Sequence, residues 1–461
     1  MRGFIYSLGI FLFVLTLGMP AHAAEDMLDV YKAGLRNDPR YHAARYDYRA
    51  ALQRVPQARA GLLPQLSFDA RHNRTDQNIL EREEEAFGIG RSRFTTQTWQ
   101  FQLTQPIFRY ASWVQLAQSK AVVRQAFAVY TAAEQELILR SAALYLNLLA
   151  AQDLVSLSDA ELAAVGQQLE LVQAQRRSGL APITDEYEAE ARYRSVEADL
   201  IEATYGMDDA YQALREMVGD AVTSVYPIRS EIPLLPPDPA DLNAWVARAV
   251  DQNLALLARR AAVEVAEQET RRVRGAHLPT VDLVASSGNT DVGGSVTGGA
   301  SNTDTNVIGV QVNVPLYSGG LVAARARETD MTLERVRQEE IQQHREVMRG
   351  TRGAFQGVIS AIQRVRALEA SLVSQQSAVE GRERGYRSGI YTLLDVLDSE
   401  RELFSTRRDL ARARYEYLLN LLQLKRQAGT LSGDDLVYLN SLLDHDRPMP
   451  LVADSGAMIS R

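Results

Sequence analysis

The sequence predicts an α+β chain laid down twice in tandem, in which amphipathic strands feed very long helices. Three observations predict it. Four landmarks recur in the same order at offsets of 209 to 215 residues: Leu63-Pro64 as Leu278-Pro279, Pro106 as Pro315, Ser178-Gly179 as Ser388-Gly389, and Asp185 as Asp395. Short stretches of period two, apolar on one face and polar on the other, mark strands. Two proline-free stretches, 110–178 and 321–388, have helical periodicity and are too long for one compact domain.

Residues 1–23 read as a secretory signal: Arg2, an apolar run over 4–19, and Ala21-His22-Ala23 as a small-x-small cleavage site. There is no cysteine, which excludes disulfides, thiolate metal sites and lipid attachment through a cysteine. Loss of the signal removes Arg2 and no acid, so 50 basic residues become 49 against 58 acidic ones and the net charge moves from −8 to −9. That balance argues against nucleic acid as a partner. No stretch after the signal has eighteen consecutive apolar residues, so a membrane location would require a β-barrel.

Each repeat then has the order helix, strand, loop, strand, very long helix, tip, helix. The first helix is expected over 27–61. Strands are expected over 65–71, where Leu66, Phe68 and Ala70 alternate with Ser67 and Asp69, and over 98–104, where Trp99, Phe101 and Leu103 alternate with Gln100 and Gln102. In the second repeat Val281 and Leu283 flank Asp282, and Ile308, Val310, Val312 and Val314 alternate with Gly309, Gln311 and Asn313. Polar loops are expected over 81–92 and 288–304. Two readings fit these strands: hairpins on a soluble core, or a sheet with lipid outside and water inside, near Trp99, Phe108, Tyr110, Trp113 and Tyr317. Four strands cannot close a barrel, so the second reading demands an oligomer, and three copies supply twelve strands.

After the prolines the period changes. Leu148, Ala151, Val155, Ser158, Leu162, Val165, Leu169 and Val172 fall in steps of three and four, the spacing of coiled-coil packing. A long helix over 110–178 would span about 100 Å. The returning helix over 183–218 covers about half of that, and the first helix is placed to cover the rest. The alternative built on periodicity alone is a soluble periplasmic coiled-coil scaffold or adaptor. Five prolines between Pro227 and Pro239 mark an extended join. The expected division is a signal peptide (1–23), a first repeat (24–226), a linker (227–240), a second repeat (241–431) and a C-terminal tail (432–461), amphipathic over 436–443.

The two tips carry the densest local information. Each has Ser-Gly closing one helix and a new helix starting about three residues later: Ser178-Gly179-Leu180 before Pro182, and Ser388-Gly389-Ile390 before Thr392. Glycine suits the left-handed residue that ends a helix. Thr392 with Asp395 three residues on forms a capping-box pattern. Asp395 and Asp398 lie one turn apart on one helix face. Asp395 therefore serves its own helix start, with Asp398 in solvent, or both belong to rings of carboxylates that select cations when three copies meet.

Catalytic and metal chemistry find no footing. The six histidines (22, 42, 72, 277, 344 and 445) are scattered, Gly88-Ile89-Gly90 and Gly293-Gly294 lack a phosphate-cradle context, and no nucleophile elbow occurs. No enzyme activity, cofactor or metal is expected.

The duplicated order, the joints QPIF (105–108) and VPLYSGG (314–320), the tips SGLAPITD and SGIYTLLDVLD, and the segment ARYEYLLNLLQLKRQAGTL (413–431) together resemble the TolC-like outer-membrane efflux and secretion family. The resemblance covers essentially all of the chain after the signal. It implies a homotrimeric, twelve-stranded outer-membrane β-barrel in contact with lipid, continued by a twelve-helix periplasmic α-barrel. It implies a passive exit duct, without cofactor, recruited by a periplasmic adaptor and an inner-membrane transporter (ABC or proton-driven). Asp395 and Asp398 match the aspartates ringing the periplasmic entrance. Thr184, Asp185 and Tyr386 match contacts that hold it closed, with Tyr386 bonding the aspartate. Where the family's best-known closed entrance has an arginine, this chain has Tyr391, which implies an altered latch. Ser178, Gly179, Leu180, Ser388, Gly389 and Ile390 match the tips that meet adaptor hairpins.

Overall fold

The computed structural model describes residues 25–81, 90–219, 222–229, 231–294 and 299–451. The expected signal peptide lies outside the described residues, as do the centres of both expected loops and the end of the tail.

The first helix is three helices: α1 (Met27–Asn37), α2 (Pro39–Leu52) and α3 (Arg54–Ala60). This corrects the continuous helix expected over 27–61, and the cause lies in the backbone. Pro39 pushes Asp38 out of the α region, to ψ 115°. Asp38 then caps α2 by accepting from the Tyr41 N–H at 3.1 Å. Pro56 cannot donate to the Leu52 carbonyl, so the ladder is interrupted again at Gln53. The second repeat breaks at the equivalent place: Asn253 caps the helix that follows it through the Leu256 N–H at 3.1 Å.

The strands are longer than their alternating cores. β1 (Gln65–Ile79) pairs with β2 (Gly90–Phe108) over its whole length. Gly90, Arg91 and Ser92, expected in a loop, are strand residues. The backbone ladder continues wherever its donors and acceptors find partners, and polar side chains do not stop it. From Phe108 the chain enters α4 (Tyr110–Arg177), turns, and returns as α5 (Ile183–Val218). A two-residue strand β3 (Ser224–Val225) and the extended join lead to α6 (Leu242–Gln252) and α7 (Leu254–Arg274).

After a 3-10 turn, β4 (Thr280–Val292) and β5 (Ser301–Asn313) form the second hairpin. Residues 288–292 and 301–304, expected in a loop, are paired here as well. Helices α8 (Leu321–Arg387), α9 (Leu393–Gln427) and α10 (Gly433–Asn440), then β6 (Met449–Pro450), complete the described chain.

The four long strands make one antiparallel sheet in the order β1-β2-β4-β5. Pro106 is tolerated because β2 bulges there against β4. Beside the bulge, Arg109 grips Asp282 of β4 with two bonds of 2.9 and 2.7 Å, tying the strand-to-helix joint to the sheet. Leu66, Phe68, Trp99, Phe101, Ile308 and Val310 share one face of the sheet and are all exposed, Ile308 by 78%. Among the described residues no buried core lies over this face, which stays apolar and open.

Below the sheet, α4 and α8 run the length of the molecule, each about 100 Å. The half-length helices stack as expected. The Asn37 amide bonds the Val218 carbonyl, so α5 ends where α1 does. A belt of short elements (α1, α6, α10, β3, β6 and the join) wraps the middle of α4 and α8 and the C-terminal end of α9. By length and composition α4 is apolar enough to cross a membrane, but its apolar run at Leu137, Leu146 and Leu149 is buried in this belt core.

Two tyrosines fasten the belt. The Tyr145 hydroxyl donates to the Tyr226 carbonyl (3.0 Å) and accepts from the Tyr226 N–H (2.9 Å). The Tyr417 hydroxyl takes the Leu235 N–H (3.0 Å) and donates to the Leu235 carbonyl (3.0 Å). Tyr145→Phe leaves two backbone groups of Tyr226 unmatched beneath the belt, at a cost of about 1–3 kcal/mol. The heat-denaturation midpoint of the purified protein is expected to fall accordingly; an unchanged midpoint would show that packing alone holds the belt.

Candidate functional site

At the far end from the sheet the two helical hairpins turn with the same geometry. In the first, Gly179 is left-handed (φ 74°), the Leu180 N–H donates to the Gln175 carbonyl (2.8 Å) and the Gly179 N–H to the Arg176 carbonyl (2.9 Å). In the second, Gly389 (φ 75°), Ile390 and Gly385 repeat the pattern at 2.8 Å, with Gly389 donating to the Tyr386 carbonyl at 3.0 Å. Both are six-to-one, five-to-two helix closures that only glycine enters without strain. Leu180 and Ile390 are left as apolar knobs, 80% and 76% exposed, beside Ser178 and Ser388.

The outgoing helix α9 starts with the expected capping box. The Asp395 N–H donates to Thr392 Oγ1 (3.3 Å), while Asp395 Oδ2 accepts from the Thr392 N–H (2.9 Å) and hydroxyl (2.7 Å). The Thr392 hydroxyl and N–H, with Arg382 further off, hold the Asp395 carboxyl below its usual range. Within one protomer Asp395 is thus a charged cap. Asp398, one turn on, is exposed.

Tyr386 is raised by burial and then by the charge of Asp185. Its hydroxyl donates to Gln175 Oε1 (3.2 Å) and not to Asp185, as the resemblance had implied. Thr184 donates to its neighbour Asp185 (3.4 Å). Tyr391 lies back over its own hairpin: a Cβ at Gly385 would stand 2.3 Å from the Tyr391 ring. Glycine at 385 is what lets that ring lie down. Val172 and Ala189 of the first hairpin pack on Leu393 and Leu397 of the second, so the two tips touch through a small apolar cluster.

A charged joint a few turns above the tips escaped the sequence reading. Glu161 of α4, 1% exposed, accepts from Arg408 of α9 (2.5 Å) through one oxygen and from Arg192 of α5 through the other. Close by, Glu400 of α9 has one carboxylate oxygen buried without a hydrogen-bond donor. Burial first, then the charges of Glu383 and Glu161, push its carboxyl up to about 7, against an opposing pull from Arg192. Higher still, the Tyr415 hydroxyl donates to the half-buried Asp153 at 2.6 Å. No sequence spacing links Glu161 to arginines 31 and 247 positions away. The one available signal was an acid inside the heptad stripe, next to Leu162.

Among the described residues no cluster of His, Cys, Asp or Glu has the arrangement of a metal site. The grooves between the long helices are open; the one bounded by Leu154, Arg408, Arg412 and Tyr415 has a volume of about 600 Å³.

The family described as outer membrane efflux protein matches residues 30–220 and 245–430. The outer membrane protein TolC of Escherichia coli (strain K12) is 32% identical over 429 residues, covering 91% of this chain and 85% of its own. The proteases secretion protein PrtF of Dickeya chrysanthemi is 30% identical over 429 residues, covering 92% and 93%. Among solved structures, the outer-membrane channel OprN superposes with a TM-score of 0.76 at 18% identity, covering 88% of this chain and 90% of its own. The outer membrane protein VceC of Vibrio cholerae superposes with a TM-score of 0.74 at 20% identity, covering 87% and 96%. The mostly helical chain with its small sheet therefore has the fold of outer-membrane efflux channels.

The joint makes stability depend on pH in a stated direction. Glu400 binds its proton more tightly folded (about 7) than unfolded (4.5), so folding is favoured at low pH and loses stability as pH rises from 4.5 to 7. Glu400→Gln removes that loss. At pH 8 the variant is expected to be more stable than the parent by about 1–2 kcal/mol, discounted for partial exposure, and at pH 5 to match it. Heat-denaturation midpoints across that range check it. Equal midpoints at pH 8 would mean that Glu400 is solvated.

Proposed function

We propose that this chain, which belongs to the outer membrane efflux protein family, works as one third of a homotrimeric tunnel gated at its helical tips. The chain is an outer-membrane exit duct of the kind that serves tripartite efflux and type I secretion, and it reaches from the outer membrane into the periplasm. The observation that carries the trimer is a sheet with an apolar outer face and two long unpaired edges, β1 and β5. Unpaired backbone cannot face lipid, and four strands cannot close on themselves. Three copies close a twelve-stranded barrel.

The helices support the same count. In the tip-proximal half they stand in the order α5, α4, α9, α8, leaving α5 and α8 as free flanks. Helix α5 holds ten acidic and three basic residues, while α8 holds nine acidic and twelve basic ones. The exposed face of α5 carries Ile183, Tyr187, Ile201 and Tyr205. A neighbour's α8 against α5 would match charge and bury that stripe, continuing the barrel as twelve helices.

In such a trimer Asp395 and Asp398 line the periplasmic entrance as rings of carboxylates that draw cations and repel anions. Thr184, Asp185, Tyr386 and Tyr391 set how the hairpins meet when the entrance is closed. Leu180 and Ile390, with Ser178, Gly179, Ser388 and Gly389, offer two similar apolar tips to a periplasmic adaptor, which couples the duct to an inner-membrane transporter (ABC or proton-driven). The duct itself is passive. It has no catalytic residue, cofactor or energy source of its own.

Single-channel recording in planar bilayers tests this reading. Small cation-selective openings are expected, blocked by a trivalent cation from the periplasmic side. Asp398→Asn leaves the cap of α9 intact and should weaken the block. Asp395→Ala/Asp398→Ala should weaken it by roughly tenfold or more, equivalent to about 1.4 kcal/mol. Block unchanged in the double variant would return both aspartates to helix capping. No conductance from properly assembled protein would refute the duct.

A further inference from the structure

We propose that Arg74, Arg91 and Arg93, gathered around Asp76 at the outer end of the first hairpin, form a binding site for the phosphate of an anionic lipid headgroup. The site rests on the barrel orientation given under the proposed function. The register of the hairpin places it. Pairing runs Phe68 with Phe101, Ala70 with Trp99, His72 with Gln97, Arg74 with Thr95, Asp76 with Arg93 and Asn78 with Arg91. All twelve residues share one face, since each step moves two residues along both strands. That face begins as the lipid-facing apolar band and ends as the basic group. The opposite face carries Ser67, Asp69, Arg71, Gln100 and Gln102, has apolar residues only at Phe94 and Ile79 near its outer end, and belongs to the lumen.

The height agrees. Phe108 and Trp99 are nine residues apart on β2, about 30 Å along the strand. At a tilt of 35–45° that is about 23 Å along the membrane normal, close to the height of a barrel's apolar band, about 25 Å, with its aromatic girdles. Trp99 thus marks the outer girdle. Arg74 stands four residues beyond it and Asp76 six, about 10 and 15 Å further out. That lies outside the hydrocarbon, whose flanking headgroup layer is about 5–8 Å deep on each side, so the guanidiniums meet the layer from its outer margin through their long side chains.

The group is organised, not merely charged. Asp76 accepts from Arg91 Nε (2.7 Å) and Nη2 (2.5 Å) and from Arg93 Nε (3.0 Å). One carboxylate therefore holds two guanidiniums side by side and leaves Arg91 Nη1 and both terminal nitrogens of Arg93 free of it. Arg74 adds a third positive charge within electrostatic reach of Asp76. Three guanidiniums against one carboxylate leave a local charge of +2. A phosphate carrying about −1.5 to −2 matches this, and forked guanidiniums suit its oxygens. Arg91 and Arg93 remain 62% and 56% exposed, on the lipid side of the strand.

The second hairpin differs at the same end of the sheet. There Asn289 donates to Asn302 (2.5 Å) and to Asp304 (2.8 Å), a neutral-to-acidic group on the same face. Among the described residues the basic group is thus a discrete feature of one hairpin. A soluble phosphate has the same chemistry, but the position beyond a lipid-facing girdle favours a phosphate anchored in the membrane.

The test compares ligands on the assembled protein in mixed micelles, read as the rise in heat-denaturation midpoint with ligand concentration. The probes are a bisphosphorylated acylated disaccharide lipid, its dephosphorylated form, and inorganic phosphate. The phosphorylated lipid is expected to raise the midpoint, and the other two to leave it unchanged. Arg74→Gln/Arg93→Gln is expected to weaken the apparent affinity by roughly tenfold. Arg71→Gln, the lumen-facing control, and Arg74→Lys/Arg93→Lys, which keeps the charge, should retain most of it. An undiminished response in the Gln variant, or an equal response to the dephosphorylated lipid, overturns the proposal. So does a response to inorganic phosphate that matches the lipid's, because it assigns the site to a free anion. Single-channel conductance of the same variants is expected to stay at the parent level, so failure here leaves the duct standing.

Discussion

The need to pair every backbone N–H and C=O is the constraint on which the rest of this structure depends. The chain makes a sheet of four long strands and leaves both edges open, a state that neither lipid nor a soluble protein tolerates for strands of 13 to 15 residues. The tip-proximal helices pair their own backbone, but they leave α5 and α8 as flanks with one face open. In the trimer proposed above both open features find the same solution, closure by further copies around one axis, and the apolar outer face of the sheet and the acidic flank of α5 belong to that plan.

A sheet can be joined to long helices only where the backbone changes period without exposing unpaired groups. The chain manages this with a bulge at Pro106, where the missing N–H costs nothing, and with the forked Arg109–Asp282 contact beside it. Asp282 is the polar residue between Val281 and Leu283 in the strand pattern. It reads in sequence as an ordinary lumen-side residue, and its work as an anchor for the joint becomes visible only once β2 and β4 are neighbours.

What was legible in the sequence follows the range of the interactions involved. The long helices were found to within a residue of their ends, because proline, glycine and capping residues act within one turn. Ser178-Gly179, Ser388-Gly389 and Thr392 with Asp395 all do what local rules require of them. The strands were under-read because alternation marks only their apolar part, while polar stretches such as Arg91 to Ser92 are held by cross-strand backbone pairing and the Arg91–Asp76 contact. The first helix was over-read because its apolar period runs through Asp38-Pro39 and Pro56, although proline outranks periodicity. The Glu161 joint was out of reach, since its three residues lie on three helices and meet only in space.

The same difference in range bears on how the entrance can move. Each tip turn is fixed by two backbone bonds around a left-handed glycine, and the second is fixed again by the Thr392–Asp395 box. Gly385 admits the Tyr391 ring with no room for a side chain, so that ring rests against its own hairpin. Turns held this way do not unfold to open a passage. The movable contacts are those between hairpins: a small patch of Val172, Ala189, Leu393 and Leu397, and the Glu161 carboxylate shared by Arg192 and Arg408. In the gated tunnel proposed above, opening therefore swings whole hairpins as rigid rods about these contacts. Glu400 places a carboxyl that titrates near neutrality beside the larger of them, so the charge at this joint, and not the geometry of the tips, is the quantity that ordinary conditions can change.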